Sequence, residues 1–209
     1  MRLVLASNNR KKLGELAALL APVGIELIAQ GVLGIAEAEE PHATFIENAL
    51  AKARHAARHA RGPAIADDSG LCVDALGGAP GVASAHYASV ALPEAGREAQ
   101  RAAQDEANNR LLLERLRGEP NRSAHFISTL VALRSADDPE PLIVVGRWHG
   151  RILEAASGTG GFGYDPLMFI PAFGLSVAEL SAEQKNAHSH RAIAAHQMLA
   201  LLPEVWRLG

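Results

Sequence analysis

Asp67 and Asp68 stand side by side in Ala66-Asp67-Asp68-Ser69-Gly70. Adjacent carboxylates are costly to bring together unless a cation or a proton relieves their repulsion. A hard cation such as Mg²⁺ takes one or two carboxylates and completes its shell with phosphate and water, and Glu39-Glu40 offers a further acid upstream. An acid-rich turn is more often a plain solvated loop. A second candidate is Ser7-Asn8-Asn9-Arg10-Lys11-Lys12, where an apolar strand gives way to a helix. Free N–H groups and the positive end of the helix dipole suit such a junction to phosphate, with Ser7, Asn9 and Lys12 adding side-chain donors. A helix N-cap with a solvated basic turn is the competing account. A third cluster, Lys185-Asn186-Ala187-His188-Ser189-His190-Arg191, concentrates donors where the last helix is expected to open. An N-cap at Ser189 with exposed basic neighbours is the alternative there.

Two further patterns are weighed and set aside. Gly158-Thr159-Gly160-Gly161-Phe162-Gly163 matches the G-x-G-x-x-G dinucleotide pattern literally. That fingerprint requires a helix at its end, whereas Tyr164-Asp165-Pro166 leads into the apolar run Leu167 to Ile170. The glycines instead let the backbone approach a ligand closely, with Phe162 available to stack on a base. His55 and His59 have the spacing of a zinc pair, but Arg54 and Arg58 flank them and no third ligand is near in sequence. They read as an exposed basic helix face.

The elements that must position these groups follow a β-α-β pattern at the N-terminus. Arg2 to Ala6 is a short buried strand, a helix carries Leu13, Leu16 and Leu20 on one face until Pro22 and Gly24, and Ile25 to Ala29 is the next strand. Thr44 and Glu47 have capping-box spacing, so a helix is expected from Thr44 to about His59, broken by Gly62-Pro63. Ala64 to Ala66 reads as a short strand ending on the acid pair, followed by a turn. Leu76 to Gly81 is an irregular loop, and Glu94 to Leu116 a long helix. Strands at 124–134 and 142–152 form an antiparallel hairpin, and Ser189 to Leu202 is a final helix. The whole is expected to be one α/β domain spanning 1–209.

Composition narrows the function. At 209 residues, with 48% hydrophobic and 21% charged residues, the chain is an ordinary globular sequence. A net charge of −3 argues against a general nucleic-acid binder. The lone Cys72 fits a reducing compartment, no signal peptide is visible, and no run approaches the roughly 20 apolar residues of a membrane span. A cytoplasmic protein is expected.

Taken in order, these segments resemble the inosine-triphosphate pyrophosphatase family, also called HAM1-like, over essentially the whole chain. The most specific matches are Thr44-Phe45-x-x-Asn48-Ala49-x-x-Lys52, Ala66 to Leu71, Gly77-Gly78-Ala79-Pro80-Gly81, Gly158 to Pro166, and Ser189-His190-Arg191. The resemblance implies a mixed, elongated central sheet flanked by helices, two lobes with the active-site cleft between them, and a homodimer. It implies Mg²⁺-dependent hydrolysis of XTP, ITP or dITP to the monophosphate and pyrophosphate, cleansing the nucleotide pool.

Carried over residue by residue, the turn from Ser7 through Asn8, Asn9, Arg10 and Lys11 to Lys12 corresponds to the triphosphate-binding turn, and Lys52 to a further phosphate partner. Glu40 and Asp68 correspond to the metal-site acids, and Asp68 also to the proton acceptor. Ser69, Phe162, Gly163, Tyr164, Asp165, Lys185, His190 and Arg191 correspond to substrate contacts, His190 and Arg191 being expected to donate to the purine C6 carbonyl. The sequence departs from the family where the turn usually reads Thr-Gly-Asn. Ser7 keeps the hydroxyl, and Asn8 stands in for glycine as the residue most tolerant of a left-handed backbone. His86 stands where arginine is common. A Maf-like nucleotide pyrophosphatase shares the opening Leu-Ala-Ser but is disfavoured by the Phe162 to Asp165 and Ser189 to Arg191 elements. A catalytically silent nucleotide sensor is disfavoured by the retained Glu40, Asp68 and Lys12.

Overall fold

The structure is a computed structural model that describes residues 1–209 except 22, 23, 92, 95, 208 and 209. Pro22, expected to end the first helix, is therefore outside the described residues. Seven strands, β1 (Arg2–Leu5), β2 (Glu26–Ala29), β3 (Ala64–Val73), β4 (Ser123–Leu133), β5 (Leu142–Ile152), β6 (Met168–Ile170) and β7 (Leu175–Ser176), form one sheet in the order β2-β1-β3-β4-β5-β6-β7. β1 pairs parallel with β2 and β3, whereas β6 pairs antiparallel with β5 and β7. The sheet is mixed, as the resemblance implies. Among the described residues five α-helices accompany it: α1 (Arg10–Leu20), α2 (Phe45–Ala60), α3 (Arg97–Arg115), α4 (Ala182–His188) and α5 (His190–Trp206).

The chain packs as two compact units. The first comprises Met1–Ser69, Ser128–Arg147 and Asn186–Gly209, and the second Gly70–Ile127 and Trp148–Lys185. In the first unit, side-chain alternation along the strands builds two separate cores. Leu3, Leu5, Ile65, Leu130 and Ala132 pack with Leu16 and Leu20 of α1 and with Ala194, Ala195 and Met198 of α5. The intervening residues Val4, Ala6, Ala64, Ala66, Val131 and Leu133 pack with Ala49, Ala53, Ala56 and Ala57 of α2. Period-two alternation sends neighbouring residues of a strand to opposite faces, and the alanine stripe of α2 lets that helix lie close. In the second unit Leu112 of α3 and Leu116 at its C-cap pack with Leu71, Phe126, Trp148, Ile152, Tyr164 and Leu167.

Helix ends follow the expected chemistry with one variation. The Thr44 hydroxyl oxygen accepts the Glu47 N–H at 3.3 Å, but the Glu47 carboxylate takes the Thr44 hydroxyl proton at 2.6 Å. The box is closed between side chains, where a bond from Glu47 to the Thr44 backbone was expected. The last cluster is divided differently from the sequence expectation. Lys185 belongs to the short helix α4, and α5 opens after Ser189, whose hydroxyl accepts the Ala192 N–H at 3.2 Å. Ser189 is a good cap and opens the final helix where the sequence places it; the short α4 before it was not expected.

Gly146 of β5 is where α5 meets the sheet in the first unit. A Cβ there would overlap the His190 carbonyl oxygen and lie 2.7 Å from the Ala194 nitrogen. These are backbone atoms, so relief requires moving the helix. Gly146→Ala is expected to cost about 3 kcal/mol through overpacking, a fall in Tm of roughly 6–12 °C for a chain of this size. Thermal unfolding checks it, and a change within about 2 °C would show that α5 yields easily.

Candidate functional site

β3 runs ten residues, Ala64–Val73, straight through the acid pair. The expected short strand and sharp turn at Asp67-Asp68 are therefore incorrect. The physical reason is compensation from distant cations, which makes a buried acid tolerable inside a strand. Ile65, Asp67 and Ser69 share the face covered by α1 and α5, and Asp68 lies on the α2 face with Ala64 and Ala66. The two carboxylates are separated by the pleat and meet different partners.

Asp67, 1% exposed, is fully engaged. Its Oδ2 receives Lys12 Nζ at 3.0 Å and Arg191 Nε at 3.1 Å, together with the Ser69 hydroxyl at 2.8 Å, and its Oδ1 receives the Ser128 hydroxyl at 2.7 Å. Burial works against the ionised form, but Lys12, Arg191 and the two hydroxyls outweigh it and hold the carboxyl well below the usual range. On the other side of that pair, burial, with the nearby charges of Arg191 and Lys52, lowers the Lys12 ammonium below its ordinary value despite Asp67.

Asp68 is the opposite case. Its Oδ1 accepts Lys52 Nζ at 2.7 Å, while its Oδ2 is buried without a hydrogen-bond partner. Burial pushes its pKa up to about 6 against the pull of Lys52, and Glu40 adds to the rise. The same Lys52 ammonium lies 3.1 Å from Glu40 Oε2. Burial disfavours that charge, but Asp68 and Glu40 outweigh it and raise the Lys52 pKa. Two carboxylates converging on one ammonium, one of them with an orphaned buried oxygen, are a donor set that fits a hard, oxygen-seeking cation. Each unpaired buried oxygen costs about 1–3 kcal/mol or more when charged, a cost that Asp68 carries and the fully bonded Asp67 does not.

The turn before α1 is organised by its own side chains. Asn9 caps the helix, its Oδ1 accepting the N–H groups of Lys11 at 3.0 Å and Lys12 at 3.3 Å, and its own N–H donates to the Ser7 hydroxyl oxygen at 3.1 Å. Two of the helix N–H groups expected to be free for phosphate are thus taken by Asn9. Arg10 and Lys11 are exposed, and Lys12 is turned inward toward Asp67. Asn8 does not use the left-handed tolerance for which it was singled out; among the described non-glycine residues only Arg61 and Arg207 have positive φ. Its Oδ1 instead accepts the Gly31 N–H at 2.9 Å. A Cβ at Gly31 would collide with that oxygen, so the side chain at 8 and its absence at 31 form a matched pair.

Arg191 is 4% exposed, and each guanidinium nitrogen donates within the first unit: Nε to Asp67, Nη1 to Glu15 at 2.8 Å and Nη2 to the Ser69 hydroxyl at 2.9 Å. His190 is buried beside it at the first position of α5. The Arg191 donors expected to meet a purine carbonyl are engaged by Asp67, Glu15 and Ser69. Ser128 and Glu15, which complete this network, carry no local motif and were not legible as site residues.

In the second unit Asp165 Oδ2 accepts the Phe162 N–H at 2.9 Å and Lys185 Nζ at 2.8 Å, and that ammonium lies 4.6 Å from the centroid of the Phe162 ring. Tyr164 is buried, its hydroxyl donating to the Ser84 carbonyl at 2.9 Å. Asp165 thus ties the glycine loop to α4, with Gly161 so close that a Cβ would strike its carboxylate. The loop enters β6, not a helix, as expected. His86 ends a short 3₁₀ segment, Gly81–His86, and is exposed. His55 and His59 contact each other and main-chain carbonyls, with ring centroids 4.3 Å apart.

The model of the Ham1 family matches residues 3–201. The chain belongs to the Ham1 family. A relative called a dITP/XTP pyrophosphatase in Methylibium petroleiphilum is 70% identical over 206 residues, covering 99% of each chain. Another of the same description in Leptothrix cholodnii is 66% identical over 212 residues, covering both chains fully. The structure of a HAM1 protein from Coxiella burnetii superposes with a TM-score of 0.86 at 40% identity, covering 98% of this chain and 100% of that one. A Ham1 protein of Staphylococcus aureus gives 0.82 at 33% identity, covering 98% and 99%. The mixed seven-stranded α/β architecture is thus the Ham1 architecture. Among the described residues no helix is long and apolar enough to cross a membrane.

Proposed function

We propose that this Ham1 chain, acting as a single catalytic domain over 1–209, hydrolyses the non-canonical purine triphosphates XTP, ITP and dITP to the monophosphate and pyrophosphate. The reading is supported by the dITP/XTP pyrophosphatase relatives at 70% and 66% identity. The observation that carries the chemistry is the unequal acid pair: Asp67 fully neutralised, Asp68 with an unpaired oxygen beside Lys52 and Glu40.

Water attacks the α-phosphorus, a P–O bond to the water oxygen forms, the bond to the bridging oxygen breaks, and pyrophosphate departs. Asp68 accepts the proton released by that water. In the metal-free site its pKa near 6 leaves it ionised at neutral pH, the form in which a carboxylate can accept a proton. Lys52, held protonated between its two carboxylates, and Lys12, with the Ser7 and Asn9 side chains, offset the charge that phosphates bring. Arg10, Lys11 and Asn8 complete the turn that carries these donors. Glu40 and Asp68 would hold Mg²⁺, which when bound supplies positive charge that polarises the phosphate oxygens. Ser69, Phe162, Gly163, Tyr164, Asp165, Lys185 and His190 are assigned to substrate binding through the family resemblance. A homodimer in the cytoplasm is part of the same proposal, in line with the single Cys72.

A nucleotide panel with Mg²⁺, scored for pyrophosphate against orthophosphate, tests this. ITP, XTP and dITP are expected to give pyrophosphate and the monophosphate, with ATP and GTP turned over far more slowly. Orthophosphate with a nucleoside diphosphate would refute attack at the α-phosphorus.

A further inference from the structure

The glycine loop of the second unit is gripped from α3 at one residue. Gly163 donates its N–H to Asp105 Oδ2 at 2.8 Å, and its carbonyl accepts Asn109 Nδ2–H at 2.9 Å. Asp105 and Asn109 are four residues apart on α3 and so share a face of the helix. One helical turn thus presents an acceptor and a donor to the two polar groups of a single residue. Gly163 has φ +61°, a left-handed conformation that side chains other than glycine rarely adopt, and the clamp holds the peptide in it. On either side of the clamp stand Phe162, whose N–H is bound by Asp165, and Tyr164, whose hydroxyl is bound to Ser84.

The clamp also carries a cost. Asn109 Oδ1 is buried with no hydrogen-bond partner, an unpaired acceptor that partly offsets the bond its amide makes to the Gly163 carbonyl.

We infer that Asp105 and Asn109 are positioning residues for recognition of the purine base: by fixing Gly163 they set the orientation of the Phe162 ring and its neighbours before substrate arrives. This rests on the reading that the Phe162 to Asp165 loop meets the base. Preorganisation of this kind lowers the ordering cost of binding, so its loss falls on KM, leaving the bond-breaking step intact.

The test uses full-length Asp105→Ala and Asn109→Ala with Asp105→Asn as the conservative control. Amide exchange on the nucleotide-free proteins reads the clamp: the Gly163 N–H is expected to exchange at least about tenfold faster in Asp105→Ala than in wild type. In steady-state assays with Mg²⁺ and ITP, both alanine variants are expected to raise KM about tenfold with kcat within about twofold, well below the roughly 10²-fold that misplacement at the reacting centre itself can cost. Asp105→Asn keeps an acceptor oxygen and is expected to restore KM to near the wild-type value. Unchanged KM in both alanine variants despite faster exchange at Gly163 would overturn the inference and leave a purely structural contact. So would a fall in kcat with KM unchanged. A wild-type enzyme that releases no pyrophosphate from ITP, XTP or dITP would overturn the functional reading first, and the assigned role with it; the exchange result, measured without nucleotide, separates that failure from failure of the clamp.

Discussion

Asp68→Asn is expected to lower kcat by roughly 10³-fold or more while leaving the metal-free protein folded. Loss of a general base typically costs about 10²–10⁴-fold, and the same change removes one of the two carboxylates proposed for Mg²⁺. The stability effect has a definite sign. The Asp68 pKa rises from 3.8 to about 6 on folding, so the native state holds a proton that the unfolded chain has already lost between those values. Stability of the metal-free wild type therefore falls as pH rises through that window and stays at the lower level above it. The asparagine is neutral throughout. Asp68→Asn is then expected to be more stable than wild type above pH 6, by an increment bounded at about 3 kcal/mol, with the difference vanishing below about pH 4. Removing one partner of a buried ion pair ordinarily destabilises, but here Glu40 still pairs with Lys52. Turnover of ITP and thermal unfolding of the metal-free proteins at pH 4 and pH 8 check both halves. Retention of more than about a tenth of kcat would move the base elsewhere.

Arg191→Ala is expected to be a stability mutant first. Removing the guanidinium strips Asp67, Glu15 and Ser69 of a shared partner and leaves Lys12 as the one cation in contact with the buried Asp67 among the described residues. Breaking a buried charge network in this way costs about 3–5 kcal/mol, a fall in Tm of roughly 6–20 °C. Because the lost bonds hold the site and not the base, kcat/KM is expected to fall by similar factors for ITP and ATP. Arg191→Lys is expected to recover only part of the stability, since an ammonium cannot present three nitrogens in a planar fork. Thermal unfolding together with kcat/KM for both nucleotides decides the matter. A selective loss for ITP at unchanged Tm would return Arg191 to the role of a purine-carbonyl donor.

Much of this protein was legible in the residues alone. The β-α-β opening follows from an apolar run, an i, i+3, i+7 leucine face and a second apolar run. The α2 start follows from Thr44 and Glu47, and the absence of a helix after Gly163 from Pro166 and the apolar run behind it. These are local effects, settled by side chains within a turn or two of one another, and the ordered motifs pointed to the family that the comparisons show. The difference between Asp67 and Asp68 was not legible. In sequence the two are adjacent and identical, and as a pair they read as a turn because nothing nearby neutralises them. Neutralisation of Asp67 comes from Lys12 and from Arg191, 124 residues away, while the Ser128 hydroxyl, 61 residues away, bonds its other oxygen; these groups meet only when β4 joins the sheet and α1 and α5 pack against one face of it. Once β3 continues through the pair, its pleat sends Asp67 to the α1 and α5 side and Asp68 to Lys52 of α2. Residue types determined that acids, cations and a glycine loop exist in this order. Tertiary packing decided which acid is spent on holding the fold and which keeps an oxygen open, because burial and charge pairing depend on neighbours that are close in space and remote along the chain.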